Sequence, residues 1–421
     1  SIFGWLPIFT FKKMGGVSKG QSYIHTTALV DRGIYAIVRH PQYLAGILMG
    51  MALPFISQHW LVAVPGGVVV YGAGPLGSLF TARLLEAGHD VSLLARGQRL
   101  ADLKEFGLVL VDTQTGLETV AHPRLVERLA PEDAYDLVLV IMRKNRALEI
   151  LPILATNRHT PNVLFLMNNA AGPGELVEAL GAKRVLMGFP MAAGYRDGHV
   201  IRYLAGGRFG KNAPIPIGEV DGLITPRLQE IGRVLASMNG FEADLRPDMD
   251  AWLKTHVALV MPSLAPAMRA AGQDNVRMAH TRDAIVLAIR ASREGFSVLR
   301  ALGYPIVPKS VRLFERILEP ILVWGFQKRL VDPRVRVAML EHSEAAQDEI
   351  KHLTDEFFAL KRKTTIRTPA MDHLYIYFDP ASHPMPEGSA QLPLNWSFLW
   401  PVAGILLGIL AIIWLLVAVI E

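Results

Sequence analysis

A glycine-rich turn, Gly72-Ala73-Gly74-Pro75-Leu76-Gly77, is the segment whose residue types and spacing point most directly to chemistry. It follows an apolar run and opens a helix-like stretch, which is the context of dinucleotide-binding turns. The first glycine permits a tight turn, the second lets backbone approach a pyrophosphate, and the third allows close helix–strand packing. The helix N-terminus would add backbone N–H groups for the phosphates. The sequence therefore predicts a dinucleotide site at Gly72, Gly74, Pro75, Leu76 and Gly77.

Basic residues follow two of the neighbouring predicted strands. Arg96 stands at the end of the second strand, where an NAD-binding unit usually places an acid for the ribose 2′-hydroxyl. Because an arginine pairs with a 2′-phosphate instead, Arg96 favours NADPH over NADH. Arg143 and Lys144, after a later strand, offer a further phosphate or adenine contact. The alternative for each of these cations is a solvated surface position.

Alternating strands and helices must position these residues. Apolar, β-branched runs predict strands at Val68–Tyr71, Asp90–Ala95, Ala134–Met142 and Asn162–Met167, and Leu76–Ala87 predicts a helix. Strands interleaved with helices indicate a parallel sheet covered on both faces. Beyond about Leu245 the strand signals fade. Four stretches there predict helices: Asp248–Met261, Thr281–Leu302, Lys309–Phe326 and Arg334–Leu360.

Composition narrows the classes of function. The 421 residues include no cysteine, which excludes disulfides, thiolate metal ligands and cysteine nucleophiles. The 13 histidines show no metal-ligand spacing, so no metal site is expected. No Lys/Arg run with interleaved aromatics accompanies the net charge of +5, so nucleic acid is not an expected partner. A charged fraction of only 19% indicates that part of the chain is membrane-associated.

Two long apolar segments, one toward each end of the sequence, account for much of this low charged fraction. Phe398–Ile420 is a run of 23 residues without charge and would span about 34 Å as a helix, enough for a transmembrane segment. Leu44–Val64 is also apolar but is interrupted by Pro54, so it fits either a single span or a hairpin or interfacial element. The basic residues before it favour the cytoplasmic side. A hairpin or interfacial element would keep the middle of the chain there.

Four segments of the middle region carry a family resemblance: VVVYGAGPLGSLFTARLLEAGHDVSLLAR, VLMGFPMAAGYRDGHVIRY, DAWLKTHVALVMPSL and DEIKHLTDEFFALKRKTTIRTP. They resemble the ketopantoate reductases (2-dehydropantoate 2-reductases) over about Val68 to Leu374. The resemblance implies a Rossmann domain, a helical C-terminal domain, NADPH, and reduction of a 2-oxo acid to a 2-hydroxy acid. It also implies three catalytic residues: Lys254, Glu349 and Asn168, the last also contacting the cofactor.

The chemistry of these residue types agrees with the implied roles. An ammonium beside a keto group polarises the carbonyl and donates a proton as the hydride arrives, and Lys254 would supply it. Glu349 would orient Lys254 or accept a hydrogen bond from the substrate hydroxyl, and Asn168 would position the carbonyl or the lysine. Three polar positions of the family are changed here, to Ala258, Pro262 and Val337. Losing such groups changes what a site recognises, so we expect an altered substrate site.

The N-terminal segment has a resemblance of its own. Gly33-Ile34-Tyr35 and Val38–Leu44 (VRHPQYL) resemble the isoprenylcysteine/phospholipid methyltransferase superfamily of membrane enzymes, whose RHPxY segment helps bind S-adenosylmethionine. The match ends near Val64, before the second half of that cofactor site. A relic or fused membrane anchor therefore fits better than methyl transfer.

The sequence as a whole predicts an α/β protein: a Rossmann-type doubly wound parallel sheet followed by an all-helical domain, with N-terminal membrane-associated helices and a C-terminal transmembrane helix. The leading hypothesis is a membrane-attached, NADPH-dependent reductase of a small 2-oxo acid, facing the cytoplasm. The alternatives are an inactive, membrane-tethered NADP-binding module and an S-adenosylmethionine-dependent methyltransferase. The expected partners are the substrate and the lipid bilayer, with a homodimer also considered. The domain ranges are 1–64 (methyltransferase-like), 65–245 (NADP-binding), 246–378 (helical), 379–397 (linker) and 398–420 (transmembrane).

Overall fold

The computed structural model describes residues 67–205, 212–332, 335 and 347–396. These residues fall within one compact unit that begins at Gly67. The methyltransferase-like fragment, both expected membrane segments and Val337 lie outside the described residues. Within them, no helix has the length and apolar character needed to cross a bilayer. Membrane attachment therefore stays a prediction from sequence.

An eight-stranded sheet organises the first half of the described chain, in the order β12-β11-β8-β7-β6-β1-β2-β5. Neighbouring strands run parallel except β11 and β8, which are antiparallel. All residues of β1, β2, β6, β7 and β8 are buried, which explains why these strands are continuous apolar runs. The strands of this sheet are β1 (Val68–Tyr71), β2 (Val91–Leu94), β5 (Arg124–Val126), β6 (Leu137–Val140), β7 (Asn162–Leu166), β8 (Val185–Gly188), β11 (Ala213–Glu219) and β12 (Phe241–Leu245).

Strand β1 is the point at which the strand order reverses. Val68 pairs with Val91 of β2 on one side and with Leu137 of β6 on the other, both in parallel register. Connections from β1 therefore leave toward opposite sides, and a crevice opens beyond the carboxyl ends of β1 and β6. The glycine-rich turn follows β1 directly, which places it at this crevice.

A second sheet of four strands was not predicted from the sequence. Its order is β4-β3-β10-β9, with β3 parallel to β10 and the outer pairs antiparallel. These strands are short, and partial exposure weakens their apolar signal. Pairing of β3 with β10 joins segments about 90 residues apart, which no local pattern reveals. The strands are β3 (Leu108–Asp112), β4 (Glu118–Ala121), β9 (Ala193–Asp197) and β10 (Val200–Leu204).

Helices connect the strands of the main sheet and cover it. Helix α1 has Pro75 at its start, where a missing N–H costs nothing, and Arg83 near its end donates to Tyr203 Oη at 2.6 Å. That bond ties α1 to the small sheet. The helices of this half are α1 (Pro75–Glu86), α2 (Gly97–Phe106), α3 (Lys144–Glu149), α4 (Leu151–Thr156), α5 (Gly174–Leu180) and α6 (Pro226–Ala236).

Residues from Met249 onward form helices, as expected for the second half. The 20-residue α10 runs through their core, where Phe296 packs with buried side chains of the neighbouring helices, including Phe357 and Met371. Val260–Leu264 forms a π-helical turn directly after α7. The α-helices are α7 (Met249–Leu259), α8 (Ala265–Ala270), α9 (Asn275–His280), α10 (Arg282–Ala301), α11 (Leu313–Arg316), α12 (Glu319–Leu330), α13 (Gln347–Lys361) and α14 (Pro369–Tyr375).

The stretch Lys309–Phe326, predicted to be helical, is mostly helical but is divided into separate pieces. A 3₁₀ turn at Lys309–Arg312 leads into α11, and α12 begins separately at Glu319. Pro320 explains the break, because proline fits the first turn of a helix but not its interior. Of the stretch predicted as helix over Arg334–Leu360, the described part is α13.

The segment predicted as a linker crosses the surface of the helical half with specific hydrogen bonds. The Asp283 carboxylate accepts backbone N–H groups from Gln391 at 2.8 Å and Leu392 at 3.0 Å. Met385 donates its backbone N–H to the Ala270 carbonyl at 2.7 Å. The described part of this segment is therefore fixed to the helices up to about residue 396.

Candidate active site

The glycine-rich turn is shaped by two glycines that cannot carry a side chain. Gly72 has φ +126°, and a Cβ there would lie 2.4 Å from the Ile141 carbonyl oxygen. A Cβ on Gly77 would lie 1.8 Å from the Gly72 carbonyl oxygen. Both contacts are far inside van der Waals distance, so the turn closes against β6 and against helix α1 only with glycine at these positions.

The third glycine leaves an open cradle at the start of α1. Gly74 is the N-cap residue, and a Cβ built on it would meet nothing within 4 Å. Within the described residues no side chain caps the helix, so its first free N–H groups are left for an anion. Pro75 and Leu76 are half-buried beside this opening. The arrangement fits the pyrophosphate of a dinucleotide.

The two arginines after β2 have different environments. Arg96 is exposed at the N-cap of α2, where its guanidinium is free to meet a phosphate. Arg99 is buried and donates to the Ala73 carbonyl at 3.2 Å and to Ser78 Oγ at 3.1 Å. Arg99 therefore stabilises the glycine-rich turn from the protein interior. Arg96, which is exposed, is the arginine suited to a ligand.

Lys254 lies in α7 with its side chain 1% exposed. Its ammonium pairs with the Asp250 carboxylate one turn earlier and lies 4.7 Å from the centre of the Tyr304 ring. Burial lowers the pKa of Lys254 below its ordinary value of 10.5, and the Asp250 charge acts in the opposite direction. A buried ammonium whose pKa is lowered gives up a proton more readily than a surface lysine does.

Lys254 also touches the loop that follows β7. A Cβ on Gly172 would lie 3.0 Å from Lys254 Nζ and 3.2 Å from Asp250 Oδ1, so glycine leaves the space that this ion pair fills. Gly172 has φ +92°, which glycine adopts without strain. The loop brings Lys254 to the same edge of the sheet as the glycine-rich turn.

Lys144, at the start of α3, is a second buried ammonium and is also only 1% exposed. Its Nζ donates to Asn169 Oδ1 at 2.8 Å and to the Glu356 carboxylate. Its neighbour Arg143 is partly exposed and donates to Asp348 at 2.8 Å. The sequence suggested Arg143 and Lys144 together as a phosphate or adenine contact, with an exposed basic pair as the alternative. Arg143 lies at the surface, whereas Lys144 belongs to the interior of the site.

The two asparagines after β7 make different contacts, and it is Asn169, not the predicted site residue Asn168, that bonds to Lys144. Asn169 Oδ1 accepts from Lys144 Nζ and from the Gly172 N–H at 2.9 Å, and its amide nitrogen donates to the Gly172 carbonyl at 2.8 Å. Asn168, the predicted catalytic asparagine, is buried, and its Oδ1 has no hydrogen-bond partner among the described residues. Asn169 therefore shapes the loop beside Lys254, while Asn168 keeps a buried acceptor for another group.

Glu349 is buried on α13 and accepts the backbone N–H of Lys144 at 3.1 Å. Burial raises the pKa of Glu349 to about 7, although the hydrogen bond from Lys144 acts in the opposite direction. No hydrogen bond in the described part of the chain joins Glu349 to Lys254. The structure thus brings Glu349 to the start of α3, while the partner of Lys254 is Asp250.

Glu356 is a residue of this site that the sequence interpretation missed. One carboxylate oxygen pairs with Lys144, and the other accepts the N–H groups of Ala170 at 3.3 Å and Ala171 at 3.2 Å. Glu356 follows Glu349 by seven residues, two helical turns, which places both on one face of α13. That spacing was the available signal, but only the fold shows that this face meets the loop after β7.

These residues lie at one edge of the main sheet. The glycine-rich turn follows β1, Lys144 follows β6, and Asn169 follows β7, and the carboxyl ends of parallel strands meet at the same side. Helix α7 supplies Lys254, and α13 supplies Glu349 and Glu356. A doubly wound sheet with an unblocked glycine-rich turn, facing a buried lysine from a helical half, defines a Rossmann-type dinucleotide-dependent oxidoreductase.

Comparisons with known proteins agree with this class. Residues 68–220 match the family model described as "Ketopantoate reductase PanE/ApbA". A 2-dehydropantoate 2-reductase of Archaeoglobus fulgidus is 28% identical over 241 residues, which cover 56% of this chain and 75% of that protein.

Solved structures share the fold over most of the described chain. The 2-dehydropantoate 2-reductase of Geobacter metallireducens matches with a TM-score of 0.59 and 19% identity, covering 75% of this chain and 99% of that one. A D-mandelate dehydrogenase, solved with NADH and anilino(oxo)acetate, matches with a TM-score of 0.60 and 15% identity, covering 74% and 96%. The family model and the Archaeoglobus reductase support the ketopantoate reductase family, and the solved structures support its fold. The predictions of a 2-dehydropantoate 2-reductase-like oxidoreductase and of a nicotinamide cofactor are confirmed.

Proposed function

We propose that this protein uses NADPH to reduce a small 2-oxo acid to the corresponding 2-hydroxy acid. The observation that carries the proposal is the buried Lys254 ammonium, held against the loop after β7 at the sheet edge that also carries the glycine-rich turn. A carbonyl bound at this edge would have a proton donor at hand and a dinucleotide cradle on the same side of the sheet.

Lys254 provides the acid for the reaction. A nicotinamide cofactor held at the glycine-rich turn would supply the hydride for the carbonyl carbon. Negative charge then develops on the carbonyl oxygen, and the Lys254 ammonium stabilises it and transfers one proton to it, which leaves a neutral amine and an alcohol. The Asp250 carboxylate keeps Lys254 protonated until that step, because an adjacent negative charge favours the ammonium.

The second buried lysine holds the loop in place. Lys144 joins Asn169 to Glu356, and Glu356 also binds the N–H groups of Ala170 and Ala171. Because the same loop continues to Gly172, which touches Lys254, this network fixes the position at which the ammonium is presented. Lys144 and Glu356 act as positioning residues in this mechanism. Asn168, whose buried Oδ1 has no partner in the part of the chain that the structure describes, is the asparagine available to the substrate or cofactor.

The phosphate preference rests on Arg96. An exposed guanidinium at the end of β2 can pair with a 2′-phosphate, whereas an acid at this point would bind the 2′-hydroxyl of NADH. Replacing Arg96 by serine should weaken NADPH binding while leaving NADH binding nearly unchanged. Equal losses of affinity for NADPH and NADH would show that Arg96 does not recognise the 2′-phosphate.

The substrate is proposed to differ from 2-dehydropantoate. Ala258 and Pro262, which replace polar residues of the family, are buried and have no side-chain hydrogen-bonding group. The ring of Tyr304 beside Lys254 adds apolar surface with one hydroxyl. A 2-oxo acid with fewer polar substituents therefore suits this site better.

The direct test is NADPH oxidation by the purified chain with a panel of 2-oxo acids that differ in size and polarity. We expect turnover with at least one member and a preference for apolar substituents. Tight NADPH binding without turnover across the panel would favour an inactive binding module instead. The comparisons favour neither that alternative nor methyl transfer.

Membrane attachment and a cytoplasmic orientation complete the proposal. They are supported by the 23-residue uncharged run at 398–420 and by the basic residues that precede Leu44–Val64. Flotation of the full chain with lipid vesicles tests attachment, and recovery of the chain only in the lipid-free fraction would refute it.

A further inference from the structure

Four large apolar side chains lie exposed along the segment that forms α11 and α12. Leu313, Ile317, Ile321 and Trp324 are 56%, 36%, 53% and 62% exposed. Leu313 lies in α11, Ile321 and Trp324 lie three residues apart in α12 and so on one side of it, and Ile317 lies in the extended residues that join the two helices. We refer to these four residues as the 313–324 face.

The inner side of the same helices is already used for packing. Val323 is buried, and Phe314 meets Phe326 edge to face with ring centres 6.0 Å apart. Leu313 and Ile317 also line a shallow apolar groove with Leu259 of α7. The exposed side chains are therefore additional to those that hold the helices in place, and exposed apolar surface of this kind marks interaction sites.

The segment that carries the 313–324 face also carries several exposed cations. Its exposed cations are Lys309, Arg312, Arg316 and Lys328. The nearby acids are directed to other arginines, since Glu315 pairs with Arg300 and the buried Glu319 pairs with Arg290. Apolar and aromatic side chains rimmed by lysine and arginine are the composition of surfaces that lie in the interface of an anionic bilayer.

The path of the chain leads to the same place. Asn395 donates its backbone N–H to Glu319 at the start of α12, at 2.9 Å, and Arg290 donates to the Pro393 carbonyl at 2.6 Å. Trp396 follows and is exposed. The described chain therefore ends beside the start of α12, and the uncharged run at 398–420 follows it in the sequence.

We infer that the 313–324 face rests on the interface of an anionic lipid bilayer, next to the point where the apolar C-terminal run meets it. The inference rests on the proposed membrane attachment and adds the orientation of the reductase body. The apolar side chains would enter the headgroup region, while the four cations would meet lipid phosphates and carboxylates. The body would then be held against the bilayer at two neighbouring points.

The absence of cysteine from the chain allows a direct test. The full chain carrying Ile321→Cys, labelled with a fluorophore, is reconstituted into vesicles of phosphatidylcholine and phosphatidylserine. The matched control is Leu117→Cys, an exposed apolar position in the other half of the protein. Flotation first establishes attachment, and quenching by nitroxide-labelled lipid and by aqueous iodide then locates each label.

We expect lipid nitroxide to quench the label at position 321 and iodide to quench the label at 117. Reversing three cations, with Lys309→Glu, Arg316→Glu and Lys328→Glu, should shift the docking equilibrium at 321 toward the undocked body by about 10²-fold or more. Iodide quenching at 321 in floated protein would overturn the inference while leaving attachment intact. Protection from both quenchers would overturn it in favour of a second copy of the chain. Failure to float would refute attachment and this inference together, whereas NADPH turnover tests the reductase activity separately.

Discussion

The cofactor turn and the catalytic corner of this protein are built in opposite ways. The turn is six consecutive residues between one strand and one helix, and its shape follows from where glycine is required. The catalytic corner gathers Lys144, Asn169, Lys254, Glu349 and Glu356 from four separate stretches of chain. The comparison teaches that a local motif tolerates little change in backbone shape. An assembled site depends instead on buried charges, such as Lys144, whose counter-charge comes from the other half of the described chain.

The largest effect should come from the catalytic corner. Lys254→Ala removes the proton donor, so kcat for 2-oxo acid reduction should fall about 10²- to 10⁴-fold while NADPH affinity stays unchanged. Steady-state kinetics and a fluorescence titration with NADPH measure the two quantities. Lys104→Ala, at an exposed surface ion pair, is the matched control and should leave both unchanged. Full activity of Lys254→Ala would refute the proposed acid.

The next effect tests whether the corner depends on its buried ion pair. Glu356→Gln leaves the Lys144 ammonium buried without a counter-charge, which should lower the free energy of unfolding by about 3–5 kcal/mol, as measured in denaturant. Glu149→Gln, in an exposed ion pair with Arg146, should cost at most about 1 kcal/mol.

A double variant separates stability from positioning. Lys144→Met with Glu356→Leu replaces the pair by apolar groups and should recover most of the stability lost in Glu356→Gln. It should still lower kcat, because Asn169 and the loop N–H groups lose their partners. Recovery of wild-type kcat together with stability would show that the network has no positioning role.

A pH-dependent effect follows from Glu349. Its folded pKa of about 7 lies above the ordinary 4.5, so between these values the folded protein holds a proton that the unfolded chain releases. The favourable contribution of the neutral carboxyl is present below about pH 4.5 and is lost as pH rises through 7. Glu349→Gln keeps the acceptor for the Lys144 N–H without titrating. Relative to this variant, the wild type should lose up to about 3 kcal/mol of stability between pH 5 and pH 8. A constant difference would contradict the assigned shift.

The smallest expected effect lies in the local turn. Gly77→Ala places a methyl group against the Gly72 carbonyl, and the resulting displacement should cost about 1–3 kcal/mol of NADPH binding, or about 5- to 150-fold in Kd. Lys254-dependent chemistry at saturating NADPH should be much less affected. Gly325→Ala, where a Cβ meets nothing within 4 Å, is the control. Unchanged affinity in Gly77→Ala would mean that the turn adapts.

Local patterns in the sequence predicted part of this architecture well. Strand β1 and the glycine-rich turn were placed correctly, because a buried strand is a continuous apolar run and the turn requires glycine at fixed positions. The helical second half was also anticipated. The small sheet was missed because most of its strands are partly exposed and because β3 pairs with β10 across a long separation in sequence. The break before α12 was missed although Pro320 marks it.

The sequence by itself determined the cofactor turn, the class of fold and the identity of Lys254 as a candidate acid, because these depend on residue order along short stretches and on a family pattern. Only the tertiary structure decided which groups meet. It directed Glu349 to the backbone of Lys144 and joined Lys144 to Asn169 and Glu356, whereas Asp250 meets Lys254 within a single helix, one turn away. The physical reason is that a buried charge must find its partner in space, and the packing of α7 and α13 against the sheet edge decides which residue that partner is.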